Sequence, residues 1–465
     1  MVQDHFLLLA YPSPGHLNPV LHLAHRLIRM GALVTVSTTV EMLRRTHYTS
    51  TPIPGLSFFH FSDAHDDDEG GNDPSKSSSD HCFSDFWRRG SRSLANLITS
   101  VKQNGGHPFT CIVHTMLFPW ATELARQHHL PSALLWIQPA TLFGIFHYYF
   151  KDDSFIKNKL PSPSNSMIEL PGLPPLKSRE LPSVITSPSG VYAFVLPLMG
   201  EDLRILQQEQ NPTVLVNTFE ELEPDTLRAL RDSFRTIAIG PLVPSILLDG
   251  EIPPDSGDDY MEWLSSKAES SVIYISFGSL SVLSKRQMEE IARGLIESGR
   301  PWLWSIREEE EKEKVGEYRE EMEEKGKIVS WCKQVEVLSH KSVGCFVSHC
   351  GWNSSLESLV AGVPVVAIPQ MADQLTNAKL IEDVWKTGVR VTVEDGGDDG
   401  EEIVRGEEIR RSVEEVMGDG ARGKEMRKNA AKWRELSREA VKVGGSSDAN
   451  LMAFVDQLGG APNNN

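Results

Sequence analysis

Short apolar runs rich in β-branched residues alternate with amphipathic, helix-forming stretches along almost the whole of this chain. Seven runs in the N-terminal half and six in the C-terminal half predict strands at 6–11, 34–38, 56–61, 111–114, 132–136, 213–217, 236–240, 271–279, 301–306, 327–331, 344–349, 364–369 and 389–393. Strands separated by helices pair in parallel, with helices covering the sheet. The alternation therefore predicts the α/β class, and two sets of strands predict two sheets.

The boundary between the two sets lies in a segment rich in proline, glycine and aspartate. At 465 residues, the chain is longer than a single hydrophobic core supports. We expect a first Rossmann-like domain at 1–240, a linker at 241–259, a second Rossmann-like domain at 260–440, and a C-terminal helix and tail at 441–465 that return to the first domain. Sheets of this type bind ligands beyond the carboxyl ends of their strands. Two such domains facing each other predict a site in the cleft between them.

Charge and cysteine content narrow the range of partners. Because nucleic acids and anionic membranes attract clustered Lys and Arg, a formal charge of −18 argues against both. The apolar run at 6–11 is too short to span a bilayer and follows no basic leader, so we predict a cytoplasmic protein. The five cysteines lack paired spacing, which is typical of reduced thiols, and the His and Cys residues within 340–350 match no common zinc pattern. We therefore predict no metal.

A helix start that follows the strand at 344–349 has the features of an anion site. The strand ends at His349, and Asn353 and Ser354 then open a helix. The first turn of a helix carries unpaired N–H groups and about half a positive charge, which suits a diphosphate. Ser279, which follows another strand, supplies a further donor. Asn and Ser are also common helix caps, so a plain cap is the alternative interpretation.

Residues around this helix start extend the anion site into a nucleotide site. Trp331 ends a neighbouring strand and offers a ring face for a base, although a core position is the more common fate of tryptophan. Glu357 lies one helical turn after Asn353, where a carboxylate accepts bonds from ribose hydroxyls. Asp373 and Gln374 either hold sugar hydroxyls or cap the next helix. Binders for a base, a ribose, a diphosphate and hydroxyls together indicate a nucleotide sugar.

The stretch from Trp331 to Gln374 resembles the 44-residue signature box of plant UDP-dependent small-molecule glycosyltransferases of family 1. The resemblance rests on W-C-K-Q, H-C-G-W-N-S and P-Q-M-A-D-Q, and it extends in register over essentially the whole chain. Within the family the chain most resembles the branch of anthocyanin 5-O-glucosyltransferases and crocetin glucosyltransferases. The resemblance implies the GT-B fold, in which two Rossmann-like domains face each other, with the acceptor held mainly by the first domain and the UDP-sugar by the second.

The resemblance also implies a set of donor contacts. Trp331 stacks on uracil, and Cys332 meets the uracil edge through its backbone. Gln334 and Glu357 hold the ribose. The diphosphate is held by Ser279, His349, Asn353 and Ser354, and the sugar by Trp352, Asp373 and Gln374. In this family, Gln at the last position of the box usually accompanies UDP-glucose. The resemblance implies no cofactor besides the co-substrate, and we expect a monomer.

His16 is the predicted general base. It starts a helix after the strand at 6–11, and an imidazole has an unperturbed pKa near neutrality. By resemblance, His16 takes the proton of the acceptor hydroxyl while that oxygen attacks the anomeric carbon, and UDP leaves from the opposite face with inversion. Relatives orient this base with an Asp in V-Y-D-S-F-L-P-W, but the segment 113–120 reads V-H-T-M-L-F-P-W.

Thr115 therefore stands where relatives carry the Asp. A hydroxyl can hold one tautomer of the base, but it does not stabilise the charged imidazolium as a carboxylate does. We therefore predict a weak base, suited to an acceptor that arrives ionised, such as a carboxylic acid or an acidic phenol.

The acceptor pocket is expected in the N-terminal half, with Phe86, Phe118, Gln138 and Phe143 as candidate contacts. Aromatic residues on a helix more often belong to a core, so these residues are candidates only. Ile137 replaces a Thr that often contacts the sugar in relatives, which leaves Gln138 or Thr141 as substitutes. The resulting hypothesis is inverting transfer of glucose from UDP-glucose to a hydroxyl or carboxylate of a flavonoid, terpenoid, apocarotenoid or hormone-like acid. The alternatives are another UDP-sugar, an epimerase-like relative of the fold, or a non-catalytic nucleotide-sugar binding protein.

Overall fold

The computed structural model describes residues 3–46, 52–61, 79–151, 156, 167–187, 193–249, 258–307, 318, 321, 324–395 and 402–459. Part of the predicted linker, 250–257, and the end of the predicted tail, 460–465, lie outside the described residues. Within the described ranges, two large parallel sheets form the framework of the molecule.

The first sheet is built by the N-terminal half of the chain. Its seven strands are all parallel, and their order in space is Leu56–Phe61, Leu33–Thr39, His5–Leu9, Cys111–Thr115, Ser132–Trp136, Thr213–Val216 and Arg235–Ala238. His5–Leu9 and Cys111–Thr115 are neighbours, with Leu9 opposite His114 in the register. The segments that follow these two strands therefore meet at one edge of the sheet.

The second sheet is built by the C-terminal half. Its six parallel strands have the order Gly326–Val329, Trp302–Ser305, Val272–Ser276, Val343–Ser348, Val365–Ala367 and Gly388–Arg390. Each of the thirteen predicted strands overlaps one strand of these two sheets. Two short antiparallel ladders pair Met167–Ile168 with Leu176–Lys177 and Glu394–Asp395 with Glu402–Ile403. Both ladders lie outside the predicted strands.

Helices cover the faces of both sheets. The described α-helices are Pro14–Arg29, Val40–Thr46, Ser79–Gln103, Pro119–Gln127, Ala140–Lys151, Ser183–Thr186, Val195–Leu206, Pro224–Leu230, Ser245–Asp249, Asp259–Ser265, Lys285–Ser298, Gln334–Ser339, Trp352–Ala361, Gln374–Lys379, Gly406–Met417, Ala421–Val441 and Ser446–Gly459. A 3-10 turn at Ser178–Glu180 and a π-helical turn at Leu380–Val384 complete the set. Both central strands, Cys111–Thr115 and Val343–Ser348, are buried at every residue because helices pack on both sides.

The C-terminal helix Ser446–Gly459 packs on the first domain. Its Leu451 and Phe454 are buried in the same hydrophobic core as Phe6, and the ring centroids of Phe6 and Phe454 lie 6.4 Å apart. The Ser447 hydroxyl donates to the Gly240 carbonyl at 2.6 Å. The last helix therefore connects the two halves of the chain a second time.

Among the described helices, none combines the length and apolar character needed to cross a bilayer.

Candidate active site

Two helix starts, one from each half of the chain, face each other at the centre of the molecule. The helix Pro14–Arg29 begins after the strand His5–Leu9, and the helix Trp352–Ala361 begins after the strand Val343–Ser348. The Asn353 side-chain amide donates to the Gly15 carbonyl at 3.2 Å. The residues predicted for the base and for the diphosphate thus lie at one cleft.

His16 and Thr115 are brought together by the pairing of their two strands. His16 Nδ1 lies 3.1 Å from Thr115 Oγ1, and this oxygen also accepts the backbone N–H of Tyr11 at 3.1 Å. Burial lowers the pKa of His16 to about 3, so the imidazole is neutral near neutral pH.

The hydroxyl partner leaves the tautomer of His16 open. If Nδ1–H donates to Thr115, Nε2 has a free lone pair and can accept a proton from an acceptor. If Thr115 donates to Nδ1 instead, Nε2 carries the hydrogen and cannot act as a base. A carboxylate only accepts hydrogen bonds and would select the first tautomer. Thr115 therefore orients the ring but does not select its reactive form.

The loop between the strand Val343–Ser348 and the next helix wraps closely around His349. A Cβ at Gly278 would lie 2.5 Å from His349 Nε2, and one at Gly351 would lie 2.6 Å from the same atom. Both glycines are therefore required by close approach to the imidazole. Burial lowers the pKa of His349 to about 4, and its Nδ1 has no hydrogen-bond partner among the described residues. A neutral imidazole with one free nitrogen stands beside the helix start.

The predicted ribose residues form one hydrogen-bonded group with Ser354. Gln334 Nε2 donates to Ser354 Oγ at 2.9 Å and to Glu357 Oε2 at 2.7 Å. The Tyr274 hydroxyl donates to Gln334 Oε1 at 3.2 Å. Burial raises the pKa of Glu357 to about 7. These contacts hold the Gln334 and Glu357 side chains in place before a ligand arrives.

Trp331 and Cys332 lie next to this group. The Trp331 side chain is 67% exposed, which excludes the core interpretation and leaves its ring face open. The Cys332 thiol is buried, with its sulfur 3.4 Å from the Tyr274 hydroxyl, so only its backbone is available at the cleft. This arrangement is compatible with the stacking and edge contacts that the resemblance implies.

Ser279 is exposed, and Arg307, which the sequence pattern did not indicate, holds its loop. The Arg307 guanidinium donates to the carbonyl of Ser279 and, at 2.8 Å, to the carbonyl of Ser281. Arg307 follows the strand Trp302–Ser305. Its position after the carboxyl end of a parallel strand is the sequence feature that could have identified it as a site residue. It brings a positive charge to the loop predicted to face the diphosphate.

Asp373 and Gln374 follow the strand Val365–Ala367. Asp373 accepts from Asn377 Nδ2 at 2.7 Å, and burial raises the pKa of Asp373 to about 6. Gln374 Oε1 accepts the backbone N–H groups of Gln370 at 2.8 Å and Met371 at 3.0 Å. The carboxamide oxygen is therefore occupied, and the NH2 group is what Gln374 can offer a ligand.

The side chain of Trp352, a residue predicted to hold the sugar, lies in the core. The indole is buried, and its Nε1 donates to the Asn217 carbonyl at 2.9 Å. Its ring also packs against Trp385, with centroids 5.8 Å apart. The backbone N–H of Trp352 bonds to Asp373, so the residue reaches the predicted sugar site only through its backbone.

Two of the residues predicted to contact the acceptor are fully buried. Phe118 and Phe143 are each 0% exposed. The Phe143 ring lies between Trp136 and Phe234, with both centroid distances at 5.0 Å. The Phe118 ring lies 6.1 Å from the Tyr11 ring and 5.5 Å from the Trp120 ring. The aromatic pattern is typical of both acceptor contacts and core packing, and both rings are buried.

The remaining acceptor candidates differ in their availability. Phe86 is partly buried and lies 5.5 Å from the Phe61 ring, and Gln138 is partly exposed. Thr141 is buried, and its hydroxyl donates to Glu223 at 2.8 Å. Glu223 also accepts the backbone N–H groups of Ala140 and Thr141 and so caps the helix Ala140–Lys151. The Thr141 hydroxyl is therefore already occupied. Gln138 remains the candidate substitute for a sugar-contacting Thr.

Comparison with known proteins decides the family. The family model described as UDP-glucoronosyl and UDP-glucosyl transferase matches residues 141–413, which is more than half of the chain. The chain belongs to this family. The transferase is 50% identical to a protein of Gardenia jasminoides named crocetin glucosyltransferase, chloroplastic, over 98% of each chain. It is 46% identical to the anthocyanidin 3-O-glucoside 5-O-glucosyltransferase of Verbena hybrida, over 99% of this chain and 100% of the relative.

Solved structures agree with this assignment. The transferase matches Os79 from O. sativa in complex with U2F and trichothecene, with a TM-score of 0.80 and 33% identity over 97% of this chain and 100% of Os79. Os79 has also been solved in complex with UDP. The predicted resemblance and the GT-B fold are confirmed, and the protein is a UDP-dependent glycosyltransferase.

Among the described residues, no group of three or more His, Cys, Asp or Glu side chains is arranged to hold a metal ion.

Proposed function

We propose that this transferase moves glucose from UDP-glucose to a hydroxyl or carboxylate of a plant small molecule, with inversion at the anomeric carbon. The observation that carries the proposal is the contact between Asn353 and Gly15, because it places the helix start predicted for the diphosphate one residue away from His16. A sugar that extends from that diphosphate then lies between the two domains. His16 is the neutral imidazole available on the acceptor side.

The reaction would be a single displacement. The acceptor oxygen forms a bond to the anomeric carbon as the bond from that carbon to the UDP oxygen breaks. For a hydroxyl acceptor, the proton passes to His16 Nε2, which requires Nδ1–H to donate to Thr115. The N–H groups at the helix start, His349 and the nearby Arg307 support the negative charge that remains on UDP.

Two features support glucose as the sugar, and a third supports an acidic acceptor. Gln374 offers an NH2 group beside the Asp373 carboxyl, a pair that suits sugar hydroxyls. The compared relatives are named for transfer of glucose to crocetin and to an anthocyanidin glucoside. The hydroxyl partner of His16 favours acceptors that need little proton removal, so a carboxylate or an acidic phenol is the preferred acceptor.

The rival hypothesis is another UDP-sugar donor. The test is to incubate the full chain with UDP-glucose, UDP-galactose and UDP-glucuronic acid, each against panels of flavonoids and carboxylic acids. We expect a glucose conjugate by mass spectrometry and a β-linked product by NMR. Release of UDP without any conjugate would contradict the proposal.

Two further predictions remain to be measured. A cytoplasmic location is predicted, although one relative is named chloroplastic. A monomer is also predicted. Imaging of a tagged full chain and light scattering of the purified protein address these two predictions.

A further inference from the structure

A short segment of the N-terminal half reaches across to the second domain. The segment contains the 3-10 turn Ser178–Glu180 and the helical turn Ser183–Thr186. Its partners belong to the loop before the helix Gln374–Lys379 and to that helix itself. None of the residues assigned above to donor binding or catalysis lies in this segment.

Ser183 and Ala372 are joined by a reciprocal pair of hydrogen bonds. The Ser183 backbone N–H donates to the Ala372 carbonyl at 3.0 Å, and the Ala372 N–H donates to Ser183 Oγ at 2.8 Å. Ala372 has φ +54°, in the left-handed region that residues with a Cβ rarely adopt. Such a conformation persists when surrounding contacts hold it. Ser183 supplies two of these contacts from the other domain.

Ala372 directly precedes the two residues predicted to hold the sugar. On its other side, the backbone N–H groups of Gln370 and Met371 are held by Gln374 Oε1. The loop 370–374 is therefore shaped by Gln374 from within and by Ser183 from outside. Loss of the Ser183 hydroxyl leaves the Ala372 N–H without its acceptor and loosens the loop at the residue beside Asp373.

Glu180 fixes the segment against the second domain. Its carboxylate is 1% exposed and pairs with Arg390 Nη2 at 3.0 Å and with Lys379 Nζ at 3.7 Å. The Glu180 carbonyl also accepts the Thr376 hydroxyl at 2.7 Å. A buried carboxylate between two cations holds its backbone in place. Ser183, three residues further along, is thereby delivered to the same loop.

We propose that Ser183 is a positioning residue for the donor sugar, acting through Ala372 on the orientation of Asp373 and Gln374. Recognition of the sugar then depends on both domains, whereas the residues predicted for the UDP part all belong to the second domain. This inference rests on the proposed function, because Asp373 and Gln374 are assigned to the sugar there. It predicts that the sugar, and not the UDP part, is sensitive to the Ser183 hydroxyl.

The experiment compares UDP with UDP-glucose on the same variants of the full chain. Ser183→Ala removes the hydroxyl, Ser183→Thr retains it, and Ser187→Ala is the matched control on an exposed serine of the same segment. Isothermal titration calorimetry gives the Kd for each ligand, and initial rates give KM and kcat. Thermal unfolding checks that each variant is folded.

For Ser183→Ala, we expect a Kd and KM for UDP-glucose that rise about threefold to tenfold, as for one lost hydrogen bond, with the Kd for UDP unchanged. Ser183→Thr should restore most of the UDP-glucose affinity, and Ser187→Ala should match the wild type. Equal weakening of UDP and UDP-glucose, or no change in either, would overturn the role of Ser183. Wild-type protein that binds UDP-glucose but forms no conjugate would instead contradict the proposed function, and the two Kd values would still decide the role of Ser183.

Discussion

The Asn353 side-chain amide donates to the Gly15 carbonyl oxygen across 3.2 Å, and this bond joins the two domains at the centre of the cleft. Gly15 lies directly before His16, and Asn353 lies in the first turn of the helix Trp352–Ala361. The distance between the candidate base and the diphosphate site is thus set by one short contact. The same amide group is predicted to face the diphosphate.

Replacing Asn353 with aspartate tests this relationship with little change in shape. A carboxylate would face the Gly15 carbonyl and the diphosphate, and it would replace a donor by a negative charge. We expect the Kd for UDP to rise about thirtyfold or more, which corresponds to a lost charge-assisted bond. Titration calorimetry with UDP gives the value. Asn429→Asp serves as control, at a partly exposed asparagine of the second domain whose amide donates to the Lys386 carbonyl at 3.2 Å. An unchanged Kd in Asn353→Asp would contradict the diphosphate assignment.

Replacing His16 with alanine tests the base. General base catalysis typically contributes about 10²-fold to 10⁴-fold, so transfer to unactivated hydroxyls should fall by that factor. Transfer to carboxylates should retain part of its rate, because these acceptors arrive without a proton. His22→Ala, six residues further along the same helix, is the matched control. If both classes of acceptor lose the same factor, the ionised-acceptor idea is wrong.

Replacing Thr115 with aspartate restores the acid that relatives carry. A carboxylate accepts from Nδ1–H, selects the tautomer with a free Nε2 and stabilises the imidazolium. We expect kcat for hydroxyl acceptors to rise about tenfold, with a smaller change for carboxylate acceptors. Thr115→Asn keeps a similar shape without the charge and should show no gain. A rise of the same size in Thr115→Asn would assign the effect to packing.

Asp202 predicts a pH-dependent stability. Burial raises the pKa of Asp202 from 3.8 to about 8, and its Oδ2 accepts the Leu117 N–H at 2.7 Å. Between about pH 4 and 8 the folded state holds a proton that the unfolded state lacks, so this residue lowers stability as pH rises through that window. Asp202→Asn mimics the protonated form and keeps the acceptor oxygen.

The variant should therefore gain stability at pH 7.5 and show little difference from the wild type near pH 4. We expect a gain of about 3–5 kcal/mol in the free energy of unfolding at pH 7.5, because the wild-type carboxyl must bind a proton on folding and the amide need not. Denaturant unfolding at both pH values measures this difference. Asp232→Asn, at an exposed aspartate, controls for net charge, and a gain that is equal at both pH values would contradict the assignment.

The strands and part of the donor site could be predicted from local sequence, and the family resemblance supplied the other donor residues. Apolar runs such as that at Val343–Ser348 must be buried on both faces, so their pattern identifies strands directly. The polar residues that follow these strands stay at the carboxyl edge of the sheet whatever the side-chain packing is. Glu357, which was read from its place one turn after Asn353, accordingly meets Gln334, which the resemblance implied.

The amino-acid sequence by itself determined the α/β class, the thirteen strands and the residues that collect at the strand ends, because these follow from local hydrophobic periodicity. Only the tertiary structure decided the directions of individual side chains. Phe143 turned into the core, the Trp352 indole bonded to Asn217, and Ser183 met Ala372 from far away in the chain. Each of these outcomes depends on which atoms compete for the same space or the same hydrogen bond, and such competition between distant segments leaves no periodic trace in the sequence.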